Sequence, residues 1–152
     1  MVISLFHRNK VVKFWTSYKG KGNYRDYRED RYYLLFSVDE SNKLLTFLPI
    51  TSNRHDYKDY ASRYKILNRC SYLESEKYPE SFINTDILII VPFEAIPYLS
   101  FCNECPSFCL EKDFEEIIRL HSDLPSYGIE IDEVEITIEY FLKLQSSKSK
   151  KG

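Results

Sequence analysis

Glycine is scarce in this chain, with four among 152 residues, so extended flexible stretches are excluded as the main theme and regular structure is expected to dominate. Also missing is any apolar run near the ~20 residues needed to cross a bilayer. The longest, Ile87 to Phe93, suits a buried strand. The amino terminus, MVISLFHRNKVV, is too short in its apolar part and too soon charged for a secretory signal. Together these absences set the expectation of a cytoplasmic protein. There is no internal repeat, and no net excess of one charge beyond −2. That balance conceals an asymmetry. Residues 1–70 carry 14 Lys/Arg against 7 Asp/Glu, a balance of +7, and residues 71–152 carry 7 against 16, a balance of −9. Such a split suits one face that meets an anion and another that meets something basic, or two halves that neutralise each other within one domain.

What is present is enough for a core. An apolar content of 43% and an aromatic content of 16% exclude disorder for most of the chain, and the length fits one domain. Val11 to Ser17 (VVKFWTS) reads as a strand rich in branched and aromatic residues. Tyr18 to Asp30 reads as a charged loop, Arg31 to Val38 as a second strand, Asp39 to Lys43 as a turn, and Leu44 to Ile50 as a third strand closing a hairpin. Asn53 to Tyr60 is polar loop. Ser62 to Leu67 alternates as a half-buried strand does, and Ser81 to Val91 reads as a strand pair or one bent strand. Pro92 and Pro97 punctuate the segment after that strand. Glu111 to Leu120 has helical spacing in Phe114, Ile117 and Ile118. Over Ile131 to Leu144 a helix competes with a strand over Ile129 to Ile138; the apolar stripe running on to Leu144 favours the helix. Residues 146–152 read as a flexible tail after a single domain over 1–145. Strands first and helices last predict an α+β fold, mainly β: a small curled sheet with carboxy-terminal helices packed on it.

The stretch with most chemical content is Leu44 to Asn53, LLTFLPITSN. A strand-length apolar run ends in two adjacent hydroxyls, Thr51 and Ser52. A Thr-Ser pair at a strand end also serves as a turn former or helix cap. Beside arginines, however, it suits a phosphate. RNA can be cut by its own 2′-hydroxyl if a protein removes that proton, stabilises charge on the phosphorus and protonates the leaving 5′-oxygen. Arginine offers a forked, permanent cation for phosphate oxygens. A turn near Glu40 and Ser41 would bring Arg31 toward Ile50 and Thr51. Upstream, Lys19, Lys21, Arg25 and Arg28 are interleaved with Tyr18, Tyr24 and Tyr27, the pattern in which cations track a nucleic-acid backbone while aromatic faces stack unpaired bases. Asp26, Glu29 and Asp30 offset part of that charge. Arg54 and His55 come just after the hydroxyl pair, and imidazole titrates near neutral pH.

These motifs resemble the MazF/PemK/Kid toxin superfamily of small ribonucleases, and the strand end LPITS is similar to that of ToxN-like endoribonucleases as well. In that pattern an arginine begins a hydrophobic strand, a turn comes next, and a second strand ends in Thr or Thr-Ser. A polar loop, a strand, and an acidic residue before a branched apolar strand complete it. Here Arg31 heads YYLLFSV, LTFLPITS is the second strand, then come SRYKIL and SFINTDILIIV, so residues 11 to 97 are covered. The resemblance implies an SH3-like barrel and metal-independent cleavage of single-stranded RNA to a 2′,3′-cyclic phosphate, with no cofactor. It implies Arg31 as catalytic arginine, Thr51 as its partner, Ser52 assisting, and Asp86 at the acidic position. A homodimer and a cognate antitoxin, protein or RNA, are implied by the resemblance too. Asn84 stands where some members have a second arginine. That substitution supports an alternative: a non-catalytic SH3-like barrel that binds RNA or a protein partner.

Cys102, Cys105 and Cys109 (CNECPSFC) have part of the grammar of a zinc site, which Cys70 or His121 would have to complete by folding. Buried, inert thiols are the other reading, since a cytosolic setting disfavours disulfides. A small zinc-stabilised adaptor is thus a third functional class.

Overall fold

A computed structural model of the chain describes residues 11–18, 27–51, 63–67, 80–101 and 111–151. Among them are eight strands and two α-helices, a mixed α+β fold. The strands are β1 (Val11–Tyr18), β2 (Tyr27–Asp39), β3 (Leu44–Thr51), β4 (Arg63–Leu67), β5 (Glu80–Asn84), β6 (Ile87–Pro92), β7 (Ser100–Phe101) and β8 (Asp132–Glu135). The helices are α1 (Glu111–Asp123) and α2 (Ile138–Lys151), and short 3-10 segments occupy Phe93–Tyr98 and Leu124–Tyr127. The main path through the sheet runs β4-β5-β3-β2-β1-β7, and β6 pairs with both β3 and β8. Among the described strands, all pairings are antiparallel except β6 with β8.

The apolar runs of β2 and β3 do not alternate because both faces of these central strands are covered. Tyr33, Leu35, Leu45 and Phe47 enter one core with Val12, Ile89, Val91 and Phe141. Leu34, Leu48 and Ile50 enter a second core with Ile83 and the α1 residues Phe114 and Ile117. The hairpin turn joining these strands is fixed by an aspartate. The Asn42 main-chain N–H donates to Asp39 Oδ1 at 3.0 Å, and Asn42 Nδ2 donates to Asp39 Oδ2 at 2.8 Å. The Asn42 side-chain bond, and after it the Asn42 main-chain bond, holds the Asp39 carboxyl below the ordinary aspartate range. Lys43 closes the turn at φ 56°, and its carbonyl accepts from the Phe93 N–H at 3.0 Å.

The hairpin register departs from regularity only where a bulge lies between Leu35 and Ser37. A larger break lies on the other side of β3. Phe47 pairs with Ile89 on β6, and Ile50 pairs with Ile83 on β5. Between those two pairs, Leu48 and Pro49 stand opposite the five residues Asn84 to Leu88. Proline has no N–H to donate, so the ladder opens beside it and the partner strand bends away. One bent strand pair, β5 and β6, is the result.

Three expectations require correction. The charged loop ends earlier than Asp30, because Tyr27 to Asp30 already belong to β2 and pair with β1. Cross-strand pairing over eight positions outweighs the low strand propensity of Glu29 and Asp30. The helix expected to start at Ile131 is a strand at Asp132–Glu135 instead, and α2 begins only at Ile138. The alternation in IDEVE is decisive here: β6 offers an open edge, and Val134 pairs with Ile89. Thr137 then caps α2, its Oγ1 accepting from the Tyr140 N–H at 3.2 Å. Finally, α2 does not stop at 145 but runs through Lys151. No described helix is long and apolar enough to cross a membrane.

Candidate functional site

The strand ladders fix where the candidate residues stand. Tyr33 on β2 pairs with Pro49 on β3. That pair ends the β2–β3 ladder: two residues back on β2, Arg31 pairs with Phe14 of β1, and two residues on, Thr51 is the last residue of β3. Thr51 pairs with Phe82 on β5. The hairpin geometry read from the sequence thus holds as far as the Tyr33–Pro49 pair, two positions short of 31 and 51.

The upstream cluster divides. Tyr27 pairs with Tyr18, and Arg28 with Ser17. Because successive strand positions alternate between faces, position 27 shares the face of positions 31 and 33, while position 28 shares that of 32. Lys19, Lys21, Tyr24, Arg25, Ser52, Arg54 and His55 lie outside the described residues, as do Cys70, Cys102, Cys105 and Cys109. Among the described residues no group of three or more His, Cys, Asp or Glu is arranged to hold a metal ion.

The bend between β5 and β6 gathers buried polar residues: Asn84 is 1% exposed, Thr85 fully buried and Asp86 4% exposed. Several bonds hold the bend. His121, in the last turn of α1, donates from Nδ1 to the Thr85 carbonyl at 2.8 Å. A carbonyl can only accept, so this contact places the proton on Nδ1. Phe36 meets the same imidazole edge-on, with ring centres 5.0 Å apart. The Asp86 carbonyl accepts from the Asp132 N–H at 2.9 Å, which starts the parallel ladder to β8. Asp86 is therefore a buried anchor of the bend. Asn84 is different in kind, since neither its Nδ2 nor its Oδ1 has a hydrogen-bond partner among the described residues. Leaving a buried donor or acceptor unsatisfied costs about 1–3 kcal/mol. An amide retained at that cost in the interior of a strand pair is a feature to be explained by more than packing.

β4 brings residues that the sequence alone did not single out. Arg63 pairs with Asn84, and Lys65 pairs with Phe82. Tyr64, between them, lies on the opposite face: it packs in the α1 core, and its hydroxyl donates to Asp113 Oδ1 at 2.9 Å. Positions 63 and 65 accordingly share the face of Phe82 and Asn84, the face on which Phe82 packs against the first core. The signal was already present in SRYKIL, whose alternation puts both cations on one side. What the sequence could not supply was the identity of the neighbouring strand. No protein-family model matches the chain, and a search of curated proteins finds no match either.

Proposed function

We propose that this chain is a toxin-type endoribonuclease that cuts single-stranded RNA, built on an SH3-like barrel. The observation that supports the reading is the β2–β3 hairpin, whose ladder runs to the Tyr33–Pro49 pair and leaves Arg31 and Thr51 two positions beyond it on neighbouring strands. In the proposed reaction the 2′-oxygen bonds to phosphorus as the bond from phosphorus to the 5′-oxygen breaks. A 2′,3′-cyclic phosphate and a 5′-hydroxyl result. The 2′-hydroxyl proton passes to solvent. The departing 5′-oxygen takes a proton from solvent. Arg31 holds the extra negative charge on the phosphate, and Thr51 and Ser52 add neutral donors to its oxygens. The nucleophile is RNA's own, so the scheme calls on no metal or cofactor. A homodimer, a cognate antitoxin and a cytoplasmic setting belong to the same reading through the family resemblance.

The test uses purified protein and a single-stranded RNA in EDTA. Wild type cuts, whereas Arg31→Ala and Thr51→Ala do not, although both melt as wild type does. Normal cleavage by both variants would show that the site is wrong. One observation favours a second reading, a barrel that binds RNA or a protein without chemistry: the buried amide of Asn84 stands where the resemblance offers a cation. RNA retained on a gel but left intact would support that reading.

A further inference from the structure

β6 shows two faces in alternation. Ile87, Ile89 and Val91 are buried in the first core, while Leu88, Ile90 and Pro92 on the opposite face are half-buried. Leu88 packs against the second core, beside α1. Ile90 and Pro92 instead line a cleft of about 230 Å³, together with Leu44, which pairs with Pro92, and Ile138 at the start of α2. Glu94 and Glu135 line the same cleft, and both are exposed. Among the described residues neither carboxylate has a hydrogen-bond or ion-pair partner. The surrounding chain adds to the negative field, since residues 121–142 hold six Asp/Glu and no Lys/Arg. The start of α2 acts in the opposite sense, because a helix N-terminus carries about half a positive charge. That share is already offset: Thr137 Oγ1 accepts from the Tyr140 N–H, and Glu139 stands in the first turn. Two full carboxylates outweigh it, and the cleft selects a cation.

Size and wall chemistry narrow the choice of cation. Sites for free drug-sized ligands run from about 300 Å³ upward, and this cleft is smaller. An apolar floor under an acidic rim matches an alkyl stem that lies on apolar surface while its charged head stays in water, as a lysine side chain does. The surroundings point to a protein as the source of that lysine. The 3-10 segment Phe93–Tyr98 and α2 both line the cleft, and they also carry Tyr98 and Tyr140, which are 53% and 42% exposed. Exposed tyrosines serve as anchors in protein interfaces, and a free amine would leave them unused. We infer that this cleft is a docking site for a partner protein, which inserts one lysine whose stem covers Leu44, Ile90 and Pro92 and whose ammonium meets Glu94 and Glu135. Nothing in this inference depends on the nuclease reading of Arg31 and Thr51.

The experiment follows the full-length protein by proton–nitrogen NMR while a capped heptapeptide, with a central lysine flanked by leucines and serines, is titrated in. Matched titrations use the same peptide with norleucine in place of lysine, and spermidine alone. Wild type is expected to show saturable shifts at the residues that line the cleft and at Tyr98 and Tyr140. Norleucine in place of lysine raises Kd about fivefold, the loss of two exposed ion pairs. The double variant Glu94→Gln/Glu135→Gln, which melts as wild type does, raises Kd for the lysine peptide by the same factor and leaves that of the norleucine peptide unchanged. Added salt weakens only the lysine peptide. Tyr140→Ala weakens both peptides alike, which separates the aromatic contact from the charged one. Equal Kd for the two peptides, or an unchanged Kd in the glutamine variant, would overturn the cation site. Spermidine held in the cleft more tightly than the lysine peptide would overturn the protein partner, and so would the absence of any saturable shift with that peptide.

Discussion

Replacing Asn84 by leucine is expected to stabilise the protein. The side chain is 1% exposed, and neither polar atom has a hydrogen-bond partner among the described residues. Leucine has the branching of asparagine, so the exchange keeps the outline of the side chain at a larger volume and removes two unsatisfied groups. The unsatisfied amide costs about 1–3 kcal/mol in the folded state, and leucine is the better strand residue. For a chain of this length each kcal/mol moves Tm by about 2–4 °C. The expected rise is then about 2–12 °C. Far-UV circular dichroism melts of wild type and Asn84→Leu read it directly, and urea titration with an unchanged m-value confirms that the folded state is what changed. A lower Tm for the leucine variant would refute the reasoning, because it would mean that the amide is satisfied when the protein is folded.

The two cores and the hairpin turn carry the remaining expectations. Phe141, fully buried where α2 meets the sheet, leaves a cavity when cut to alanine, and Phe141→Ala should cost about 3–5 kcal/mol in urea denaturation. Tyr64→Phe removes the bond to Asp113 that ties β4 to α1, with an expected loss of about 1.5–3 kcal/mol by the same assay. Asn42→Ala should move the Asp39 carboxyl upward toward its ordinary value, seen in a carbon-13 NMR titration. Linkage sets the sign. The Asp39 carboxyl lies below its unfolded value in the folded protein, so its contribution is present above the unfolded value and is lost as pH falls through the folded one. Asn42→Ala should therefore make acid unfolding near that range less dependent on Asp39.

Much of the strand pattern was legible in the sequence, because β-branched and aromatic runs bounded by turn residues have few other fates. The hairpin over residues 31–50 and the bent pair in SFINTDILIIV are both found. The hairpin register was legible as far as the Tyr33–Pro49 pair, since a short turn fixes the register of its flanking strands. What was hidden depended on partners far along the chain. IEIDEVEITI carries both periods at once, and only the open edge of β6 decides for a strand at Asp132–Glu135. Arg63 looked like one charged residue of a half-buried strand. Its register partner, Asn84, lies on β5, which the sequence does not mark as its neighbour. The bend at Asn84 to Asp86 arises from Pro49, which lies in a different strand.

The central claim is that Arg31 and Thr51 act together on a phosphate whose attacker is RNA's own 2′-oxygen. A DNA strand with a single ribonucleotide, incubated with the purified protein in EDTA and analysed by mass spectrometry, tests it most directly. The account predicts one cut, on the 3′ side of the ribonucleotide, with a 2′,3′-cyclic phosphate on one fragment and a 5′-hydroxyl on the other, and no cut by Arg31→Ala. An intact strand under conditions where all-RNA controls are also intact, or cleavage of the all-DNA strand, would contradict it.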